Sequence, residues 1–206
     1  MEYSTKTHCM HTDNLKDQEY WNRRWENRET GWDIGTAAPA IMEYMKHYPN
    51  RNAPILIPGC GNAHEAASLL KFGFTNITLL DIAPLAVSGL HIKFSGFPEI
   101  RTLCEDFFEH REHYDLIIEQ TFFCAIPPGR RKEYVLKAGS LLNENGKLIG
   151  LLFNRLFEQD GPPYGGSAEE YQSLFSCCFQ IQKMETCTKS IPPRAGTELF
   201  IELIKK

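Results

Sequence analysis

Two glycines and an aspartate are the first residues in this 206-residue chain whose types and spacing suggest chemistry. Pro58-Gly59-Cys60-Gly61-Asn62 follows the apolar run Ile55-Leu56-Ile57 and opens a helix-like segment, and Asp81 closes a second apolar run 20 residues after Gly61. Glycines let a backbone approach a bound molecule closely, and the N–H groups of a helix start favour a negative group such as a carboxylate. An acid at the end of the following strand is placed to accept both hydroxyls of a ribose. Each feature also has a plainer reading: G-x-G is a tight turn, and Asp81 caps a helix starting at Ala83-Pro84.

Two cofactor classes share this geometry. The dinucleotide fingerprint needs a third glycine for close helix–strand packing, and His64 stands at that position. A histidine holds the helix off the strand, which disfavours NAD and prefers an adenosyl ligand without a pyrophosphate. Glu105-Asp106-Phe107-Phe108 follows a third apolar run, where Asp106 suits an adenine amino group and Phe107 a stacking ring. Glu119-Gln120 ends a fourth run, beside the expected reactive centre. Asp106 also fits an ordinary loop acid, and Phe107 an ordinary core ring.

These residues need a frame to hold them. Apolar runs at 55–57, 77–81, 100–104, 114–119 and 148–153 read as strands, the last introduced by the turn Asn143-Glu144-Asn145-Gly146. Helix-like segments cover 62–72, closed by Gly73, and 130–142. Continuous rather than alternating apolar character indicates a sheet covered on both faces, and repeated strand–helix units give a doubly wound α/β sheet. Two more strand candidates lie at 179–184 and 198–204. Pro192, Pro193 and Gly196 make the segment between them a loop, so the final strand is expected to be antiparallel. The first 50 or so residues lie outside this pattern. They form an extension with helices at 16–28 and 38–47, expected to cap one edge of the sheet.

Bulk properties narrow the class. The length suits one domain, and 42% hydrophobic with 23% charged residues is ordinary for a globular protein. A net charge of -4 argues against nucleic acid as a partner. No run reaches the ~18 apolar residues of a membrane span, and residues 1–13 do not resemble a secretory signal. Seven cysteines, none in a C-x-x-C pair, suit reduced thiols in the cytoplasm better than disulfides or zinc. Cys177 and Cys178 are adjacent, an arrangement that rarely bridges.

Trp21, Trp25 and Trp32 are the only tryptophans, all ahead of the sheet, and the first two share a helix face. They read either as an anchor for the extension or as a lid. Aromatic faces stabilise a cationic sulfonium by about 0.5–2 kcal/mol, and a closed lid excludes water.

Tyr20-Trp21-Asn22-Arg23-Arg24-Trp25 with Gly31-Trp32-Asp33 resembles the N-terminal signature of thiopurine methyltransferase-like enzymes. Ile57 to Glu65 is similar to their cofactor loop, Phe122 to Arg131 to their segment after the fourth strand, and Gly161-Pro162-Pro163-Tyr164 to their loop after the fifth. The F-F-C-A-I run is closest to the plant-type thiol and halide methyltransferase branch. The resemblance implies a Rossmann-like class I methyltransferase sheet with helices on both faces and an antiparallel last strand. It also implies S-adenosylmethionine as cofactor, with Trp21, Trp25 and Trp32 around it together with Gly59, Asp81, Asp106, Phe107 and Gln120. Arg131 aligns with a family arginine near the substrate, where it would stabilise an approaching anion or serve merely as a solvated charge at a helix start. Tyr164 either walls the acceptor pocket or packs under a proline turn.

Methyl transfer from a sulfonium asks mainly for positioning and desolvation. A thiol acceptor, with a pKa of ~8.5 for a cysteine-like group, is partly ionised near neutrality, and halide or thiocyanate needs no deprotonation. No general base is therefore expected, and His64 reads as a packing residue. The expected reaction is methylation of a small thiol, thiocyanate or halide. Alternatives are an aromatic thiol such as a thiopurine, a non-catalytic adenosyl-binding protein, and a dinucleotide oxidoreductase, which His64 opposes.

Overall fold

The computed structural model describes residues 17–206. The start of the first expected helix, at Lys16, lies outside them. Two helices come first, α1 (Gln18–Glu26) and α2 (Pro39–Lys46), followed by β1 (Ile55–Pro58), α3 (His64–Lys71) and β2 (Ile77–Asp81). Then come α4 (Pro84–Lys93), β3 (Ile100–Cys104), β4 (Tyr114–Gln120), α5 (Arg131–Leu141), β5 (Leu142–Phe153), α6 (Ala168–Phe175), β6 (Phe179–Thr186) and β7 (Glu198–Lys205). The strands form one seven-stranded sheet in the order β3-β2-β1-β4-β5-β7-β6. β7 runs antiparallel to both β5 and β6, and the remaining neighbours pair in parallel.

Burial explains why the central strands lack alternation. Every residue of β1 and β2 is buried, because successive side chains enter different cores. Ile55, Ile57, Ile77, Leu79, Leu116 and Ile118 lie with Ile41 and Met45 of α2, Ala66 and Leu69 of α3, and Leu90 of α4. Leu56, Leu80, Ile117 and Leu148 lie with Tyr134, Val135 and Ala138 of α5 and with Tyr171 and Phe175 of α6.

Three expectations need adjustment. The extension does not cap a sheet edge. α2 covers a face, and its Tyr44 hydroxyl donates to Glu202 on β7 at 2.9 Å. α1, which buries no residue, hangs from α4 through the Leu85 N–H donating to Asn22 Oδ1 at 2.9 Å. The turn at 143–146 exists, with Asn145 at φ 59°, but as a bulge inside β5: Leu142 pairs with Tyr114 and Lys147 with Leu116. Finally, α4 and α6 are full helices beyond the two expected within the sheet's frame; α4 starts at Pro84, where the plainer reading of Asp81 put a helix, and α6 turns Tyr171, Leu174 and Phe175 to the core. In α4 the apolar residues surround the axis, leaving Ile92 80% exposed. No described helix is long and apolar enough to cross a membrane.

Candidate active site

The turn after β1 is built on left-handed backbone. Gly59, Gly61 and Ala63 have φ of 56°, 51° and 47°, conformations that glycine takes freely and alanine at a cost of about 1 kcal/mol. A side chain on Gly59 would put Cβ 2.4 Å from the Phe122 ring, so this approach to the loop after β4 requires glycine. Asp81 braces the same turn from β2. Its Oδ2 accepts the Gly61 N–H at 3.0 Å and its Oδ1 the Ala83 N–H at 2.9 Å. The carboxylate therefore shapes the turn as well as facing the cavity, with lone pairs left for a ligand. Burial raises its pKa, opposed by the N–H groups of Ala83, Gly61 and Ile82.

A cavity of about 880 Å³ opens over the carboxyl ends of the strands, with Gly59 and Asp81 in its wall. Its size is that of a small-molecule site. Trp21, Trp25 and Trp32 all line it, Trp32 lying edge-on to the other two with ring centroids 5.5 and 6.1 Å away. The Arg24 guanidinium sits 5.3 Å from the Trp32 ring centroid. The Trp32 segment is also an anchor. Asp33 holds His64 at 2.8 Å and Asn62 at the foot of α3, and Arg194 donates to the Trp32 carbonyl at 3.0 Å. Burial raises the Asp33 pKa, but hydrogen bonds from Gly35, Asn62 and His64 outweigh it and hold the carboxyl below its ordinary value. Anchor and cavity wall are thus one structure, and His64 belongs to the anchor.

Strand order sorts the charges. Asp81, Glu105 and Asp106 line the cavity from the ends of β2 and β3, whereas Arg130, Arg155 and Arg194 line it from loops after β4, β5 and β6. Arg130 pairs with Glu133 and Arg194 with Glu198. Arg155 has no ion pair among the described residues, and its guanidinium rests 4.9 Å from the Phe157 ring centroid. Among the described residues the lining has no histidine or lysine, and the Cys124 thiol is pushed up to about 12 by burial and by neighbouring Glu119.

Three expected residues are placed differently by the structure, and a fourth in part. Arg131 does not reach the cavity. It is 2% exposed and clamps the chain by donating to Glu170 at 2.7 Å and to the carbonyls of Tyr164 and Gly165 at 3.3 and 2.8 Å. Its neighbour Arg130, one position earlier, lines the cavity instead. Tyr164 is not in the lining either. Its N–H donates to the Cys124 carbonyl at 2.7 Å, and Pro162 and Pro163 form the wall there. Gln120 lies outside the lining with its Oε1 buried and lacking a hydrogen-bond partner. Phe107 touches the cavity, but it is 2% exposed and stacks on Tyr134 with ring centroids 5.4 Å apart, leaving Phe108 as the more accessible ring. Asp106 lines the cavity while its Oδ1 accepts the Phe108 N–H.

Glu119 was legible only as a strand-end acid. It is fully buried, and its Oε1 accepts the N–H groups of Phe122 and Phe123, both at 2.8 Å, while Oε2 accepts the Tyr134 hydroxyl at 2.8 Å. It thereby holds the turn whose Thr121, Phe122 and Cys124 wall the cavity. Thr121, β-branched at φ 60°, is the strained member of that turn.

A family model described as thiopurine S-methyltransferase matches residues 16–200. Probable thiol methyltransferase 2 of Arabidopsis thaliana is 34% identical over 184 residues, 86% of this chain and 81% of that protein. Thiocyanate methyltransferase 1 of the same plant is 29% identical over 187 residues, again 86% and 81%. Among solved structures, the 1,6-didemethyltoxoflavin-N1-methyltransferase of Burkholderia thailandensis, with bound 1,6-didemethyltoxoflavin and S-adenosylhomocysteine, superposes with a TM-score of 0.70. It is 17% identical, covers 92% of this chain and 87% of that one, and shares the fold.

Two outcomes follow from the corrected roles. Arg131→Ala should cost about 2–4 kcal/mol in urea unfolding, since two carbonyls lose their donor, while the exposed Glu170 rehydrates. Burial raises the Glu119 carboxyl from 4.5 to about 7, against the donations of Phe123, Tyr134 and Phe122. The folded state then binds this proton more tightly than the unfolded chain. Its contribution to stability is fully present below about 4.5 and lost as pH rises through about 7. Unfolding free energies across that window should fall less with pH in Glu119→Gln, whose amide oxygen accepts the Phe122 and Phe123 N–H groups while its NH2 donates to the Tyr134 hydroxyl oxygen.

Proposed function

This chain belongs to the thiopurine S-methyltransferase family, and on that footing we propose that it methylates a small anionic acceptor from S-adenosylmethionine. The acceptor classes that suit the site are a small thiolate, thiocyanate or a halide. The observation that carries this reading is the charge that the sheet's own loops bring to the cavity, acids at the ends of β2 and β3 and Arg130, Arg155 and Arg194 after β4, β5 and β6, with Asp17 and Arg24 of the extension adding one charge of each sign.

The acid end fits an adenosyl group. Carboxylates accept hydrogen bonds from hydroxyl and amino donors, and their negative charge repels a pyrophosphate, which agrees with His64 in disfavouring a dinucleotide. Gly59 and Gly61 with Asp81 would hold the ribose side, Asp106 with Phe108 and the edge of Phe107 the base. Trp21, Trp25 and Trp32 would close over the sulfonium end. S-adenosylmethionine, when bound, supplies a methyl group on a positively charged sulfur.

The chain's own residues then have three tasks. The indoles and the anchored extension exclude water. The turn held by Glu119 keeps the acceptor wall in place, where proximity replaces a second-order encounter. Arg155, unpaired and at the arginine end, draws in and orients an anion. Among the described residues no lining group at that end is suited to abstract a proton, which favours an acceptor that is already anionic. Phe108, Phe122, Phe153 and Phe157 also wall the cavity, and these rings favour an aromatic thiol as the second reading. Six free thiols among the described residues suit a cytoplasmic setting.

Calorimetry should show binding of S-adenosylmethionine and none of NADH, with Asp81→Ala weakening the former about 10–100-fold, the loss of one or two charged hydrogen bonds. Undiminished affinity in Asp81→Ala would remove the cofactor assignment. Arg155→Ala should raise KM for bisulfide, iodide or thiocyanate about tenfold and leave S-adenosylmethionine affinity unchanged. Turnover confined to thiophenol would select the aromatic reading instead.

A further inference from the structure

Outside the cavity lining, the turn between α6 and β6 carries Cys177 and Cys178 side by side, their Sγ atoms 3.2 Å apart. Cys177 is exposed and Cys178 partly so. The other described cysteines, Cys60, Cys104, Cys124 and Cys187, show no comparable sulfur contact.

The separation discriminates among soft partners. Two bonds of about 2.3 Å, the length of a metal–thiolate bond, span about 3.3 Å when they meet near a right angle. A tetrahedral centre such as zinc with the same bonds spreads its sulfurs to about 3.8 Å, and a linear one to about 4.6 Å. The observed distance matches a pyramidal centre. We propose that Cys177 and Cys178 form a vicinal dithiol site for trivalent arsenicals, independent of methyl transfer.

Chemistry agrees with geometry. Burial, then the hydrogen bond and charge of Cys177, push the Cys178 thiol up to about 11, with Lys206 opposing them. A protonated Cys178 reacts slowly with peroxide, which needs a thiolate. Condensation with an arsenic(III) oxide does not require a preformed thiolate. With phenylarsine oxide, two S–H bonds break and two As–S bonds form. The oxygen leaves with both protons as one water, and arsenic stays trivalent throughout. Cys177 stands open to solvent at the end of α6, and Cys178 sits over Gly139 of α5, where an added Cβ would lie 3.5 Å from its own.

The test uses the full chain, reduced and freed of small thiols, with phenylarsine oxide as the probe. Intact mass should show a single phenylarsenic adduct, with two thiols lost to a chromogenic thiol reagent and both recovered on adding excess ethane-1,2-dithiol. Cys177→Ser and Cys178→Ser should each weaken the adduct at least tenfold, while Cys104→Ser keeps it. An adduct that persists in either serine variant, or no adduct in the unaltered chain, overturns the proposal. So does equal protection of the two thiols by zinc, because the site would then lack the pyramidal preference. Thermal melting of the two serine variants should match the unaltered chain, which shows that a lost adduct is a lost ligand set.

Discussion

One buried carboxylate organises the carboxyl end of this sheet. Asp81 takes a backbone N–H from Gly61 with one oxygen and from Ala83 with the other, so it ties the turn after β1 to the start of α4. Desolvation opposes that arrangement and the N–H donors support it. The turn depends on it: of its three left-handed residues two are glycines, and the third, Ala63, holds that conformation only because the surroundings over-determine it. From that turn, Gly59 meets Phe122 and Gly61 faces Trp25 and Trp32. The cofactor-side wall, the acceptor-side turn and the extension therefore meet at one place.

Topology converts that fixed point into a polarised cavity. Strand order places β2 and β3 on one side of β1, and β4, β5 and β7 on the other. Acids follow the first pair, arginines follow β4 and β5 and precede β7, and the extension adds Asp17 and Arg24. A cationic, hydroxyl-rich cofactor and an anionic acceptor are thereby led to opposite ends of the same opening. The buried Glu119 does for the acceptor side what Asp81 does for the cofactor side. It spends its oxygens on backbone N–H groups and a tyrosine hydroxyl and leaves the chemistry to the residues it positions.

Much of the frame was legible because it rests on local rules. The bounds of β2 and β3 are those expected: β2 is buried on both faces and so has a nearly continuous apolar sequence, whereas β3, at the sheet edge, keeps Arg101 and Thr102 between Ile100 and Leu103. The antiparallel β7 follows from a loop too short for a crossover helix. The turn, Asp81 and the tryptophans were legible as a cluster because their spacing is a property of the strand–turn–helix unit. α4 was not, because its apolar residues surround the axis, and α6 carries its apolar face over only eight residues.

The sequence by itself determined the neighbourhood of each functional group, and the tertiary structure decided which neighbour enters the cavity. Arg130 ends the tight turn ahead of α5 and Arg131 is the first residue of that helix, so the two side chains leave the chain in different directions. The fold turns Arg130 to the cavity and buries Arg131 against Glu170. Glu119 and Gln120 differ by one strand position and so point to opposite faces, the first onto Tyr134 and the second away from it. Phe107 goes to the core and Phe108 to the opening for the same kind of reason. The contact of Cys177 with Cys178, which adjacency alone does not predict, likewise depends on how the turn after α6 packs. Spacing along a chain sets which residues arrive together. Which of two adjacent side chains faces a ligand depends on the rotation of the element that carries them, and packing against distant residues sets that rotation.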